Sequence, residues 1–257
     1  LIKSRRKKMK IFEEVEDVDF SIARKIQSLY TKVCMNNQGD VQLWFSYINF
    51  CKLMHINSRV SALFTRMLKV HSQNQALWIA AAKFEFEDNL MPNSARKILQ
   101  RALRFHGDSK KLWLEYFRME LMYCEKIIKR KQILQGNKGV KLTDEEKSNE
   151  ELVYNDDVLQ GKIAIIVYQK AVQRFDDLKF ASDFLPICSE FDYQLTSLHK
   201  NLIYEDIKSR FGLDNEAVWD LIARGIIQDG KHELKESKLT FTEKLSLKRT
   251  HKKRTIE

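Results

Sequence analysis

The sequence predicts an all-α protein, an α-solenoid of antiparallel helix pairs, and three observations predict it. Leu43-Trp44, Leu77-Trp78 and Leu112-Trp113 recur at intervals of 34 and 35 residues, and self-similarity at such a period is the mark of a repeat architecture. The chain has only two prolines and eight glycines in 257 residues, whereas a sheet protein turns every eight to twelve residues or so and draws on Gly and Pro to do it. It is rich instead in Leu, Ile, Lys, Glu, Ala and Phe, which suits long helices.

Each Trp heads the same pattern. Three residues on stand Tyr47, Ala81 and Tyr116; six on, Phe50, Phe84 and Met119; seven on, Cys51, Glu85 and Glu120. Offsets of three, six and seven return to nearly one face of a helix. A second helix follows each of the first two. Ala95 and Ala102 allow close approach while Ile98, Leu99 and Leu103 fill the seam, with Ser94 as expected N-cap and Pro92 just upstream. Val60 to Leu68 repeats this design with Leu63, Phe64, Met67 and Leu68. Ile22 to Ile26 reads as the second helix of a preceding unit, and Ala164, Val167, Ala171 and Val172 fit the same template later. One such pair cannot bury its own stripe, but stacked neighbours can. An ordinary bundle with coincidental Trp spacing is the alternative.

Five segments follow from this reading: a basic N-terminal segment (1–20), helical repeats (21–124), a polar insertion loop (125–160), degenerate helical repeats (161–227) and a charged C-terminal extension (228–257). The insertion carries Gly136, Gly139 and the acidic stretch Thr143 to Asp157. In the degenerate part, Pro186 marks a kink or helix start within Phe180 to Phe191. Leu198, Leu202, Ile203 and Ile207 share one face of the next helix, Gly212 closes it, and Val218-Trp219 opens another unit.

The net charge of +10 and pI near 9.3 point to acidic partners: nucleic acid, an acidic protein face or an anionic membrane. Solvated lysines are the plainer account. Candidate RNA or phosphate contacts cluster at the two ends, at Arg5, Arg6, Lys7 and Lys8 and at Lys248, Arg249, Lys252, Lys253 and Arg254. The aromatic residues of the repeat columns (Trp44, Tyr47, Phe50, Trp78, Phe84, Trp113, Tyr116 and Trp219) are expected to be core, leaving no evident stacking platform.

Catalytic signatures are missing. No GxxxxGK[ST], GxGxxG, GxSxG or HExxH motif occurs. Cys34, Cys51, Cys124 and Cys188 stand apart with no metal-ligand spacing, and read as small buried apolar side chains in a reducing compartment. The six histidines are isolated, most of them expected at helix ends or in loops. Glu85 shares a repeated column with Glu120, which assigns it to the repeat rather than to acid–base work. It is expected to pair with Arg96 or Arg101 across the hairpin, against the alternative of a solvated surface pair. No enzyme activity, cofactor, metal or small-molecule substrate is expected. No run of about 18 apolar residues exists to cross a membrane. Leu1 is not an initiator methionine, so the lack of a visible signal peptide carries little weight.

Tetratricopeptide repeats usually place Gly four residues after the Trp, where this chain has Ile48, Ala82 and Phe117. Trp-x-x-Tyr-x-x-Phe-Glu followed by Ala-Arg-x-Ile-x-x-Arg-Ala-Leu resembles the half-a-TPR (HAT) repeat, best in Leu77 to Glu87 with Ala95 to Leu103. Ser61 and Cys51 depart from it, standing where the repeat has Arg and Glu. From about Ile22 to Lys126 the chain resembles the U3 small nucleolar RNA-associated protein 6 family, through Asp40 to Lys52, Ala76 to Glu85, Arg101 to His106 and Glu115 to Leu121. The resemblance implies a nucleolar, non-catalytic scaffold of the small-subunit processome, needed for maturation of small-subunit ribosomal RNA. It implies protein partners first, β-propeller (WD40) subunits among them, with pre-ribosomal or U3 RNA second. A HAT scaffold of the spliceosome or of mRNA 3′-end processing is the alternative.

Overall fold

The computed structural model describes residues 17–136, 161–191, 193–212 and 215–225. All regular structure among them is helical, with no strand, which agrees with the all-α expectation. The chain divides between Leu112 and Trp113 into two compact units.

The first unit contains α1 (Asp17–Asn36), α2 (Val41–Leu53), α3 (Asn57–Val70), α4 (Gln75–Glu87), α5 (Pro92–Phe105) and the start of α6 (Lys110–Gly136). Side-chain oxygens start the Trp-bearing helices. Asp40 accepts from the amides of Gln42 (2.9 Å) and Leu43 (3.2 Å), and Asn74 from that of Ala76 (3.1 Å). Each such cap contributes about 1 kcal/mol. Helix α2 buries Trp44, Tyr47, Ile48 and Cys51, one face at helical spacing. Helix α4 is buried on most of its circumference, through Leu77, Trp78, Ala81, Ala82, Phe84, Glu85 and Phe86. Helix α5 buries only Ala95, Leu99 and Ala102; its alanines let it lie close on α4, the most intimate pairing in this unit.

Polar and aromatic contacts lock these helices. The Tyr30 and Tyr47 rings stack at 5.1 Å, and Phe64 meets Phe84 at 5.5 Å. Thr31 Oγ1 donates to the Gln27 carbonyl (2.8 Å), so the Tyr47 hydroxyl donates to Thr31 across 3.1 Å. Arg59 of α3 donates to both oxygens at 3.3 Å. The two turns within the helix pairs match as well. His55 and Leu90, each two residues before the second helix, adopt φ of +57° and +55°.

The second unit begins within α6 and holds α7 (Lys162–Arg174), α8 (Leu178–Ser182), α9 (Phe184–Ser189), α10 (Tyr193–Phe211) and helical residues 216–225. Its core centres on Phe184, whose ring meets Phe117 (5.1 Å), Tyr168 (5.1 Å) and Phe180 (5.2 Å) edge-on. Each such pair adds about 0.5–1.5 kcal/mol beyond burial. The Tyr168 hydroxyl donates to Asp206 (3.0 Å), which also accepts from Arg210 (2.8 Å). Burial and then the Asp206 charge push the Tyr168 phenol far up. Arg118 donates to both carboxylate oxygens of Glu190 and to Glu115.

Several expectations change. The loop expected from residue 125 starts later, because α6 continues to Gly136 with Ile127 buried. Helix α1 starts at Asp17, ahead of the boundary at residue 21. Helix α5 starts at Pro92, with Met91 as N-cap, so Ser94 lies inside its first turn; proline favours that first position because its missing N–H has no partner to lose. Pro186 does break its segment: without an N–H it cannot bond the carbonyl four residues back, and α8 and α9 separate at Asp183. On α10, Ile203 and Ile207 are buried, but Leu198 and Leu202 are exposed; Thr196, His199 and Lys200 take the inward face instead. Gly212 closes α10 at φ +71°, as expected.

A repeated junction and a candidate binding groove

The junctions between helix pairs repeat atom for atom. The Trp44 indole donates from Nε1 to the Gln38 carbonyl at 3.0 Å, and the Trp78 indole to the Ser72 carbonyl at 2.8 Å. Each carbonyl also accepts from a histidine that ends the next second helix: His71 Nε2 to Gln38 (2.8 Å) and His106 Nε2 to Ser72 (2.7 Å). A carbonyl oxygen only accepts, so both imidazoles carry a proton on Nε2. Each oxygen thus has both lone pairs occupied. The turn beneath repeats three times, through amide-to-carbonyl bonds from Asp40 to Asn37, Asn74 to His71 and Ser109 to His106. Ser109, in the cap column of Asp40 and Asn74, receives the Leu112 amide on Oγ and donates to Gln75 (2.7 Å).

This junction fixes the spacing of α3 and α5, and a groove opens between them. Its cavity volume is about 380 Å³. Phe64 and Leu68 of α3, Trp78 of α4, and Ile98 and Phe105 of α5 form the floor; Lys69, Lys97 and Arg101 stand at the rim with hydroxyls of Ser61, Thr65 and Ser72 between them. Phe105 lies on Trp78, rings 5.6 Å apart and tilted by 28°, and is 54% exposed. The electrostatics are one-sided. Helices α3 and α5 together carry Arg59, Arg66, Lys69, Arg96, Lys97, Arg101 and Arg104 and no acidic residue. Arg66, Lys69, Lys97, Arg101 and Arg104 are exposed and have no acidic partner among the described residues. Lys97, Arg101 and Arg104 fall at helical spacing because Ala95, Leu99 and Ala102 turn the opposite face into α4.

The sequence-singled residues fall out unevenly. Trp44, Tyr47, Trp78, Phe84 and Tyr116 are buried, as core columns require. Phe50 and Trp113 are half-buried. Trp219 is 56% exposed beside a buried Val218, so it is not core. Glu85 is buried and accepts from Asn89 at 2.7 Å, one helical turn on. The basic residues Arg5, Arg6, Lys7, Lys8, Lys248, Arg249, Lys252, Lys253 and Arg254 lie outside the described residues. Sequence reasoning missed two features. Phe105 is an exposed aromatic at the column that holds Val70 in α3, one residue before each histidine; that shared column was the available signal. His199 is buried within α10, its ring nitrogens facing the carbonyls of Leu195 (3.0 Å) and Gly161 (3.2 Å).

All four cysteines are buried, and none of them is in a disulfide. Burial raises the thiol of Cys34, aided by the Asp40 charge, and that of Cys51 against the pull of Arg59; it pushes Cys188 up to about 12. Neutral thiols are poor nucleophiles and poor metal ligands. No grouping of His, Cys, Asp and Glu among the described residues is arranged to hold a metal ion, and no described helix is long and apolar enough to cross a membrane.

No family model matches the chain. Individual proteins do. The U3 small nucleolar RNA-associated protein 6 homologues of mouse (Mus musculus) and human (Homo sapiens) are each 36% identical to it, over 224 and 225 residues and 87% of its length. The U3 small nucleolar RNA-associated protein 6 of the fission yeast Schizosaccharomyces pombe is 33% identical over 133 residues, 52% of the chain. The chain spans about a third of the mammalian relatives, 36% of each.

Proposed function

Because the chain belongs to the U3 small nucleolar RNA-associated protein 6 family, we propose that it is a non-catalytic scaffold segment of the small-subunit processome, acting in maturation of small-subunit ribosomal RNA in the nucleolus. The likeness over 87% of the chain carries the reading. The repeated junction supports a stack of HAT-type helix pairs: two carbonyls with the same two donors, 34 residues apart, are what tandem copies of one unit produce. Such a stack binds extended or helical partners along its surface. Protein subunits, β-propeller proteins among them, are its first partners. Contact with U3 or pre-ribosomal RNA through Arg5, Arg6, Lys7 and Lys8 is secondary and acts by counterion release.

Affinity purification of the tagged protein from nuclear extract, with quantification of the RNAs recovered, tests this. The reading expects U3 RNA enriched over spliceosomal RNAs by at least about tenfold. Enrichment of spliceosomal RNAs instead would transfer the chain to a splicing scaffold and sink the proposal.

A further inference from the structure

We infer that the groove between α3 and α5 is a docking site for an acidic amphipathic peptide segment of a partner protein. The inference deepens the scaffold reading and rests on it. Two features of the groove select this occupant. Its floor of Phe64, Leu68, Trp78, Ile98 and Phe105 is apolar and suits a hydrocarbon or aromatic side chain. The charge around it is of one sign: α3 and α5 carry seven basic residues, five of them exposed, and no acidic one. Of these, Lys69, Lys97 and Arg101 line the cavity. A second depression of about 500 Å³, lined by Lys97, Gln100, Arg101, Arg104 and Phe105, extends the basic surface along α5.

Five like charges with no acidic partner among the described residues repel one another. Glu or Asp side chains on an incoming segment would neutralise them, while Leu, Ile or Phe at helical spacing would fill the floor. Ser61, Thr65 and Ser72 add neutral polar contacts between rim and floor. Phe105 is the expected anchor, because half its surface is open and its inner face is held by Trp78.

The test is fluorescence anisotropy with the whole chain and a labelled peptide of about fourteen residues, Glu and Asp on one helical face and Leu and Phe on the other. Comparators are the same peptide with Ser for Leu and Phe, the same peptide with Lys for Glu and Asp, and an oligouridine of similar charge. The acidic amphipathic peptide is expected to bind at least tenfold tighter than each comparator. Lys97→Glu with Arg101→Glu should weaken it about tenfold or more with melting temperature unchanged, since both side chains are exposed; Phe105→Ser should weaken it about fivefold with a slightly lowered melting temperature, since its ring rests on Trp78. No binding of the acidic peptide, equal binding of the Ser peptide, tighter binding of the oligouridine, or indifference to the charge reversal each overturns the assignment. If peptide binding fails while the chain is still recovered with U3 RNA, only the groove is lost. If U3 recovery fails, the scaffold reading goes too.

Discussion

The Ser72 carbonyl, with two side-chain donors, predicts a specific non-additivity. His106→Leu removes one donor and should cost about 1 kcal/mol, the usual net value of a part-buried hydrogen bond. Trp78→Phe removes the other donor and part of a buried ring, costing about 2–3 kcal/mol. After either change the oxygen keeps one partner. After both it keeps none, and an unsatisfied carbonyl costs about 1–3 kcal/mol when fully buried. Ser72 is only half-buried, so water recovers part of that, and the double variant should exceed the sum of the singles by about 0.5–1 kcal/mol. Urea unfolding followed by circular dichroism, with an unchanged denaturant slope, reads the cycle. The same cycle at Trp44 and His71 around Gln38 should return a smaller coupling of the same sign, since Gln38 is exposed and water replaces the lost donors more readily. Additivity within about 0.3 kcal/mol at the Ser72 junction, or couplings of opposite sign at the two, would refute the shared-acceptor argument.

Other perturbations follow from the same geometry. Leu90→Gly should stabilise the protein by about 0.5–1 kcal/mol, since φ is +55° and the side chain is 70% exposed; a lower melting temperature would contradict this. Gly161→Ala should destabilise clearly more than Gly212→Ala. Both sit at positive φ, but a Cβ at Gly161 would meet the His199 ring at 2.6 Å while Gly212 faces open space; equal losses on thermal melting would count against the buried placement of His199. The four cysteines should react with a thiol reagent at pH 8 only once the chain unfolds. Because burial holds the Cys188 thiol up at about 12 when folded, above the ordinary thiol value of 9.0, the unfolded chain loses that proton first. Stability should fall as pH rises from about 9 toward 12, and Cys188→Ser should flatten that slope.

How much was legible in the sequence depends on what set each feature. The Trp-headed helices were legible because a buried stripe must recur at helical spacing, and Trp44, Tyr47, Ile48 and Cys51 do so. Helix α10 was misread because its inward face is mixed: Thr196, His199 and Lys200 are buried while Leu198 and Leu202 are not. A rule that sends apolar residues inward cannot find such a face. Asn89, one turn further along the chain, reaches Glu85 without crossing the hairpin, a local contact that the column spacing of the repeat does not reveal. The groove was invisible for a different reason. Its cations sit among apolar residues in two helices 35 residues apart, and only the junction brings Lys69 opposite Lys97. The terminal basic runs, by contrast, are contiguous in the chain and stand out in the sequence.

The most direct test of the account is crosslinking with mass spectrometry on the native particle, using a reagent that joins lysines to carboxylates. The account predicts that Lys69 and Lys97 link to an acidic segment of another protein in a particle that contains U3 RNA. No protein linked at Lys69 or Lys97 in such particles, with ultraviolet irradiation instead joining Phe105 and its neighbours to RNA bases, would contradict it.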